Sequence, residues 1–304
     1  MSLSDFIRRI PDRSFSESAY YCRQWFISQL LSESFSDDTI YSRDWDILVI
    51  LDACRVDLLA EVAADYNWLP NKTEIESEAI DSVAGSSSEW MRRTFDTASP
   101  EILESTAYIT GNPFSNQQLS KTNFGLLDEM WRYAWDDAAG TIRPDPLVDR
   151  GIEVCRTGDY ERVIVHLMQP HAPFLGEDQI HSGFDPTRWG DARVANVWHK
   201  VRRGELDQER VWNAYRENLQ IALESVNRLR QNTTGELVLS ADHGNSIGER
   251  GIWGHPDIPI NGIRRVPWVE LKAKDNGQYN PNVHQYETQS EETVDGRLEA
   301  LGYK

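Results

Sequence analysis

Lysine is scarce in this 304-residue chain, supplying six of 31 basic residues against 49 Asp and Glu, for a net charge of -18. Nucleic-acid binding needs Lys and Arg against phosphate, so this balance argues against a nucleic-acid partner. Abundant acid with little lysine reads as a surface adapted to high salt, where screening removes self-repulsion, and a halophilic host is expected. The rival reading is an acidic face for a basic partner, but the acids are spread along the chain and form no tail. Cysteine is also sparse. Cys22, Cys54 and Cys155 are an odd, widely spaced set with no CxxC pair, which argues against a disulfide framework and fits a reducing compartment. No apolar run approaches 18 residues, so no membrane-spanning helix is expected. Arg8 and Arg9 are followed by neither an apolar h-region nor a small-residue cleavage site. The expected location is the cytoplasm.

What is present is enough for a core. Hydrophobic residues make up 39% of the chain, with 11 Trp, 11 Tyr and 9 Phe, which excludes a disordered protein. The length suits one large α/β core with at most a small appendage. Residues 1–43 read as an amphipathic helical lead-in, with Phe6, Ile10, Tyr21, Trp25, Phe26, Leu30 and Leu31 as apolar points, and 44–304 as a single domain. The run Asp46-Ile47-Leu48-Val49-Ile50-Leu51-Asp52 has the continuous apolar character of a strand buried on both faces. Val56 to Tyr66 follows as a short helix. Further strands are expected at 107–110, 162–167, 236–239 and 266–271, and the best helix over Leu206 to Gln231. Strands alternating with helices predict a doubly wound, mostly parallel sheet flanked by helices. Ile180 to Gly204 reads as an insertion near the rim, Asp275 to Glu292 as a polar loop, and Val294 to Leu301 as a final helix.

Chemistry gathers where the strands run out. Asp52 ends the first strong strand, and Asp242-His243-Gly244 ends a later one. In a doubly wound sheet these ends can face one crevice, and a hard carboxylate with a borderline imidazole suits a divalent cation. The bland readings are a helix N-cap or turn acid for Asp52 and a hydrogen-bonded rim histidine for His243. Ser86, Ser87 and Ser88 precede an apolar helix beginning near Trp90 and read as a cap; a hydroxyl at a helix N-terminus equally suits a nucleophile. His171, between Pro170 and Pro173, is held in extended backbone and suits contact with an anion or protonation of a leaving group. His255, in Gly254-His255-Pro256, is a candidate for substrate or metal contact. His166 sits inside a strand and reads as a core histidine. His181, His199 and His284 read as surface residues.

Together these segments resemble the sulfatase branch of the alkaline phosphatase superfamily, in a halophilic archaeal form. The matching stretches are Ile50 to Asp57, Ser86 to Trp90, Thr110 to Pro113, His171 to Phe174, Ser240 to Gly244 with Gly254-His255, Arg265 to Pro267, and Leu298 to Tyr303. The resemblance implies one divalent metal ion (Mn, Mg, Ca or Zn, with Mn or Ca first) held by Asp52, Asp242, His243 and the nucleophile. It implies Ser87 as that nucleophile, with Ser86 or Ser88 as alternatives, and His171, His255, Arg55 and Asn112 around the ester. Two departures stand out. Cys54 lacks the downstream pattern that sulfatases convert to formylglycine, and Ala53 replaces their second acid. The implied activity is hydrolysis of a phosphate or sulfate ester, on an anionic small molecule or glycan, through a covalent seryl intermediate. The alternatives are a phosphotransferase of the phosphoglycerol-transferase kind and a catalytically silent binding member. A haloacid dehalogenase-type phosphatase is excluded, because Asp52-Ala53-Cys54-Arg55-Val56 lacks its second Asp and its Thr.

Overall fold

Ile47-Leu48-Val49-Ile50-Leu51 contains no polar side chain and forms β1, buried along its whole length in the computed structural model. The structure describes residues 15–31, 38–119, 123–176, 180 and 197–283. The main sheet adds β2 (Thr106–Thr110), β3 (Leu126–Glu129), β4 (Arg162–Leu167), β5 (Gly235–Ser240) and β6 (Trp268–Ala273). In space the order is β6-β5-β1-β4-β2-β3. All neighbours are parallel except β6, which pairs antiparallel with β5, Trp268 opposite Ser240. The mostly parallel α/β sheet flanked by helices is therefore present, closed by one antiparallel edge.

The pleat divides the core in two. Ile47, Val49 and Leu51, with Val163, Val165, Leu167, Leu237 and Leu239, face α2 (Val56–Val62), α4 (Pro144–Thr157) and α5 (Gln208–Gln231). Leu48, Ile50, Tyr108, Ile164 and Val238 face the opposite layer, where α3 (Ser87–Asp96) contributes Trp90, Met91 and Phe95. Burying each such aliphatic side chain stabilises the fold by about 1.5–3 kcal/mol. In α5 the stripe Val211, Tyr215, Leu219, Ala222, Val226 and Leu229 is fully buried, and the Asp207 carboxylate caps the helix by accepting from the Arg210 N–H at 2.8 Å.

Several expectations need correction. The helix expected through Tyr66 ends at Val62, and Ala63–Asp65 continues as a 3₁₀ turn. β3 is not among the expected strands: half of it is acidic, and Asp128 bonds Arg150 and Glu129 bonds Arg132, which gives its carboxylates partners. In the lead-in helix α1 (Phe15–Leu30), Phe26 and Leu30 are exposed; the buried stripe is Tyr20, Gln24 and Ile27 instead. It packs on the segment carrying His255: the Tyr20 hydroxyl donates to the Trp253 carbonyl and accepts from the Trp253 N–H, both at 3.1 Å. Ile27 joins Ile252, Ile258, Ile260 and Ile263. His199 is half-buried and packs edge-on to Tyr20 rather than lying on the surface. Phe6, Ile10, His181, His284, most of the Ile180 to Gly204 insertion, the end of the Asp275 to Glu292 loop, and Val294 to Leu301 lie outside the described residues. Within that insertion, Val197–Arg202 is helical.

Candidate functional site

The carboxyl ends of β5, β1, β4 and β2 are adjacent, and each delivers polar groups to one pocket. Asp242 and His243 follow β5, Asp52 follows β1, His166 is the penultimate residue of β4, and Asn112 follows β2. All five are buried.

The turn after β1 sets Asp52. Ala53 adopts a left-handed conformation, φ 61°, which costs a non-glycine residue about 1–2 kcal/mol. Hydrogen bonds hold it there: its N–H donates to Asp242 Oδ1 at 3.0 Å, and its carbonyl accepts from the Tyr215 hydroxyl. Asn112 Nδ2 donates to Asp52 Oδ2 at 3.0 Å. The Asp242 Oδ1 atom also accepts the His243 N–H at 2.8 Å. Each carboxylate thus has one oxygen fixed and one left over. Asp52 Oδ1 and Asp242 Oδ2 are buried without a hydrogen-bond partner, and so is His166 Nε2.

These orphaned atoms face one another. Asp52, His166 and Asp242 each offer a ligand atom within 4.8 Å of the others. His243 Nε2 lies 3.7 Å from Asp52 Oδ1 and 3.6 Å from Asp242 Oδ2. Its Nδ1 hydrogen bonds the Gly244 carbonyl at 2.8 Å, which requires the proton on Nδ1 and leaves the Nε2 lone pair aimed inward. Donor atoms around a small divalent cation, with bonds of about 2.0–2.2 Å, stand about 3–3.5 Å apart. The observed spacings are close to that, so the residues fit a cation.

Ser87 completes the group. Ser86 occupies the cap position of α3 but makes no side-chain cap bond. Ser87, the first helical residue, is buried and turns its hydroxyl inward, with Oγ 3.5 Å from Asp52 Oδ2 and 3.4 Å from His243 Nε2. Among Ser86, Ser87 and Ser88, only Ser87 makes these contacts among the described residues.

Electrostatics follow from burial. Desolvation, then the charge of Asp242, pushes the Asp52 carboxyl well above the ordinary carboxylate range. Burial also opposes ionisation of Asp242, yet His243 and His166 outweigh it and hold that carboxyl below its usual value. Desolvation lowers His166 to about 4.

A second histidine pair borders the pocket. His171 Nε2 and His255 Nε2 are 3.2 Å apart, and the His255 ring stacks on His243 at 4.6 Å. His171 Nδ1 donates to the Ala172 carbonyl at 2.5 Å, so its Nε2 accepts from His255 and leaves His255 Nδ1 bare and buried. Burial lowers both, His255 further, so the pair is neutral near pH 7. The loop bearing His171 is held by Asn218 on α5, whose Nδ2 donates to the Pro170 and His171 carbonyls at 3.1 and 3.0 Å.

Arg55 is placed differently from the expectation. Its guanidinium bonds both Asp57 carboxylate oxygens, Glu249 Oε1 and the Asn245 carbonyl, which occupies four of its five N–H donors. It braces the Asn245 to Glu249 turn, with little left for a substrate anion. Asn112 likewise spends its amide on Asp52 and on the Phe114 N–H, at 3.0 Å each. Residues that sequence reading missed are His166, Tyr215 and Asn218.

No family model matches the chain, and no curated protein matches it. Solved structures do. The chain is similar to the integral membrane protein lipooligosaccharide phosphoethanolamine transferase A from Neisseria meningitidis, at 14% identity and TM-score 0.49, covering 91% of this chain and 59% of that one. It thus spans under two thirds of that protein. It is also similar to the C-terminal periplasmic domain of EcEptC from Escherichia coli in complex with Zn, at 15% identity and TM-score 0.49, covering 88% and 82%. A third likeness is to a protein in the alkaline phosphatase superfamily from Vibrio parahaemolyticus, at 12% identity and TM-score 0.39, covering 79% and 64%. The structural neighbours are alkaline phosphatase superfamily members, sulfatases and phosphoethanolamine transferases. No helix among the described residues is long and apolar enough to cross a membrane.

Proposed function

We propose that the chain is a metal-dependent enzyme that cleaves a phosphate or sulfate ester through a covalent intermediate on Ser87. One observation carries the reading: a buried serine hydroxyl lies within 3.5 Å of Asp52 and His243, beside two carboxylate oxygens that have no partner. Asp52, Asp242, His243 and Ser87 would hold the cation, which when bound lowers the hydroxyl pKa and neutralises charge on the transferring group. Asn112 fixes the Asp52 carboxylate, and Asp242 and Tyr215 fix the turn that carries it.

In the reaction the Ser87 oxygen bonds to phosphorus or sulfur as the bond to the leaving oxygen breaks. The Ser87 proton passes to the leaving oxygen, and the bare Nδ1 of the neutral His255 beside this centre is the group that carries it across. Water or an alcohol then takes the group and returns the Ser87 oxygen. Hydrolysis and transfer share the first half and differ only in the acceptor. The substrate is an anionic small molecule or glycan ester. The three free cysteines suit a reducing cytoplasm.

The test is a panel of aryl phosphate, phosphodiester, phosphonate and sulfate esters, each assayed with several divalent metals at high salt. We expect turnover with at least one, lost in Ser87→Ala and kept in Ser86→Ala and Ser88→Ala, with a phospho- or sulfo-adduct on Ser87 by mass spectrometry. Undiminished turnover in Ser87→Ala overturns the nucleophile. A protein that neither binds metal nor turns over any ester is the silent binding member.

A further inference from the structure

A histidine that serves only the core has both ring nitrogens satisfied. His166 does not. It is fully buried, and its Nε2 has no hydrogen-bond partner, an arrangement that costs about 1–3 kcal/mol when nothing offsets it. The ring is held firmly: Nδ1 is 2.7 Å from the Tyr108 hydroxyl, and Trp90 packs edge-on at 5.6 Å. The pleat explains its aim. His166 shares a face with Ile164 on its own strand and with Tyr108 on β2, the face covered by α3, whose first residue is Ser87. From there Nε2 lies 3.7 Å from Asp242 Oδ2, within the span that one cation bridges.

We propose that His166 is a further ligand of the cation, with Tyr108 as its positioning residue, accepting the Nδ1 proton so that the Nε2 lone pair faces the metal. The inference rests on the metal-dependent reading above and deepens it by naming the class of ion. Two imidazoles with two carboxylates favour a borderline transition ion, Zn, Co or Mn, over Ca and Mg, which prefer all-oxygen shells. Tyr108 serves as the outer partner that a ligating imidazole normally has.

One equivalent of Co²⁺ in the whole protein provides the probe. Each ligating imidazole carries an Nδ1–H whose proton resonance the paramagnetic ion shifts far downfield and which exchanges in D₂O. We expect two such signals, from His243 and His166, and the loss of one in His166→Gln. Equilibrium dialysis should show Co²⁺ and Zn²⁺ affinity falling about 10–100-fold in Tyr108→Phe, with at least that loss in His166→Gln and little change for Ca²⁺. The signal count needs only the wild-type protein, so a poorly folded variant leaves the test intact. One shifted signal in wild-type protein that binds Co²⁺ overturns the role of His166 and spares the metal site. Failure of the wild type to bind Co²⁺, Zn²⁺ or Mn²⁺ overturns the metal-dependent reading itself.

Discussion

Asp52→Asn should make the metal-free protein more stable and the metal-loaded protein less so. Ligand atoms of Asp52 and Asp242 lie within 4.8 Å of each other, buried, with one oxygen of each lacking a partner. Two unit charges at that distance repel by about 3.5 kcal/mol at an effective dielectric of 20. Burial and the charge of Asp242 raise the Asp52 carboxyl and so favour its neutral form, which makes the relief on substitution a fraction of that, about 1–3 kcal/mol. Asparagine keeps a carbonyl oxygen for the Asn112 amide, which donates at 3.0 Å, so no bond need be lost. Metal reverses the order. An ion at 100 times its dissociation constant stabilises the wild type by about 2.7 kcal/mol, and the variant has lost a ligand. Urea denaturation at high salt, followed by tryptophan fluorescence with EDTA and then with Mn²⁺ or Zn²⁺, reads both halves. A variant less stable than wild type in EDTA, or one that gains as much from metal, refutes the reasoning.

Two further outcomes concern the same neighbourhood. Gly244→Ala should destabilise by about 1–3 kcal/mol and weaken metal binding, because a Cβ there would stand 2.4 Å from the Gly262 carbonyl oxygen, a backbone atom that cannot swing aside. Thermal melts and dialysis check this, and an alanine variant unchanged in both contradicts it. Acid should destabilise the metal-free protein through His166. Burial lowers its folded pKa to about 4 from an unfolded 6.5, so the unfolded chain binds the proton first as pH falls. Stability held above 6.5 is lost toward 4, by about 2.5 kcal/mol between pH 7.5 and 4.5. Urea midpoints in EDTA should show His166→Gln sparing most of that loss; identical pH profiles would refute the assignment.

Much of the sheet is legible in the sequence because its strands are nearly pure aliphatic runs. Ile47 to Leu51 and Leu237 to Leu239 announce themselves, and an acid at the end of each marks the crevice. His166 is hidden for the same reason: Val163-Ile164-Val165-His166-Leu167 reads as core throughout. Only counting in twos from Ile164, with Tyr108 beside it on β2, shows which layer the imidazole enters. Arg55 misleads in the opposite direction. A cation three residues beyond Asp52 looks like an anion receptor until Glu249, 194 residues on, is seen against it. Ala53, Tyr215 and Asn218 act through backbone groups of distant segments, which no local pattern encodes.

The segment around Ala53 meets Asp242 at a sequence separation of 189, and Ser87, Asn112 and His166 arrive separately between them. Such a centre exists only after the slowest, least local contacts of the chain have closed. A cation bound there therefore finds no partial site on the unfolded chain to recruit it. It should leave the refolding rate unchanged and slow unfolding, the signature of an interaction absent from the transition state. Loaded protein would then be longer-lived, locked by a ligand that plays no part in building it.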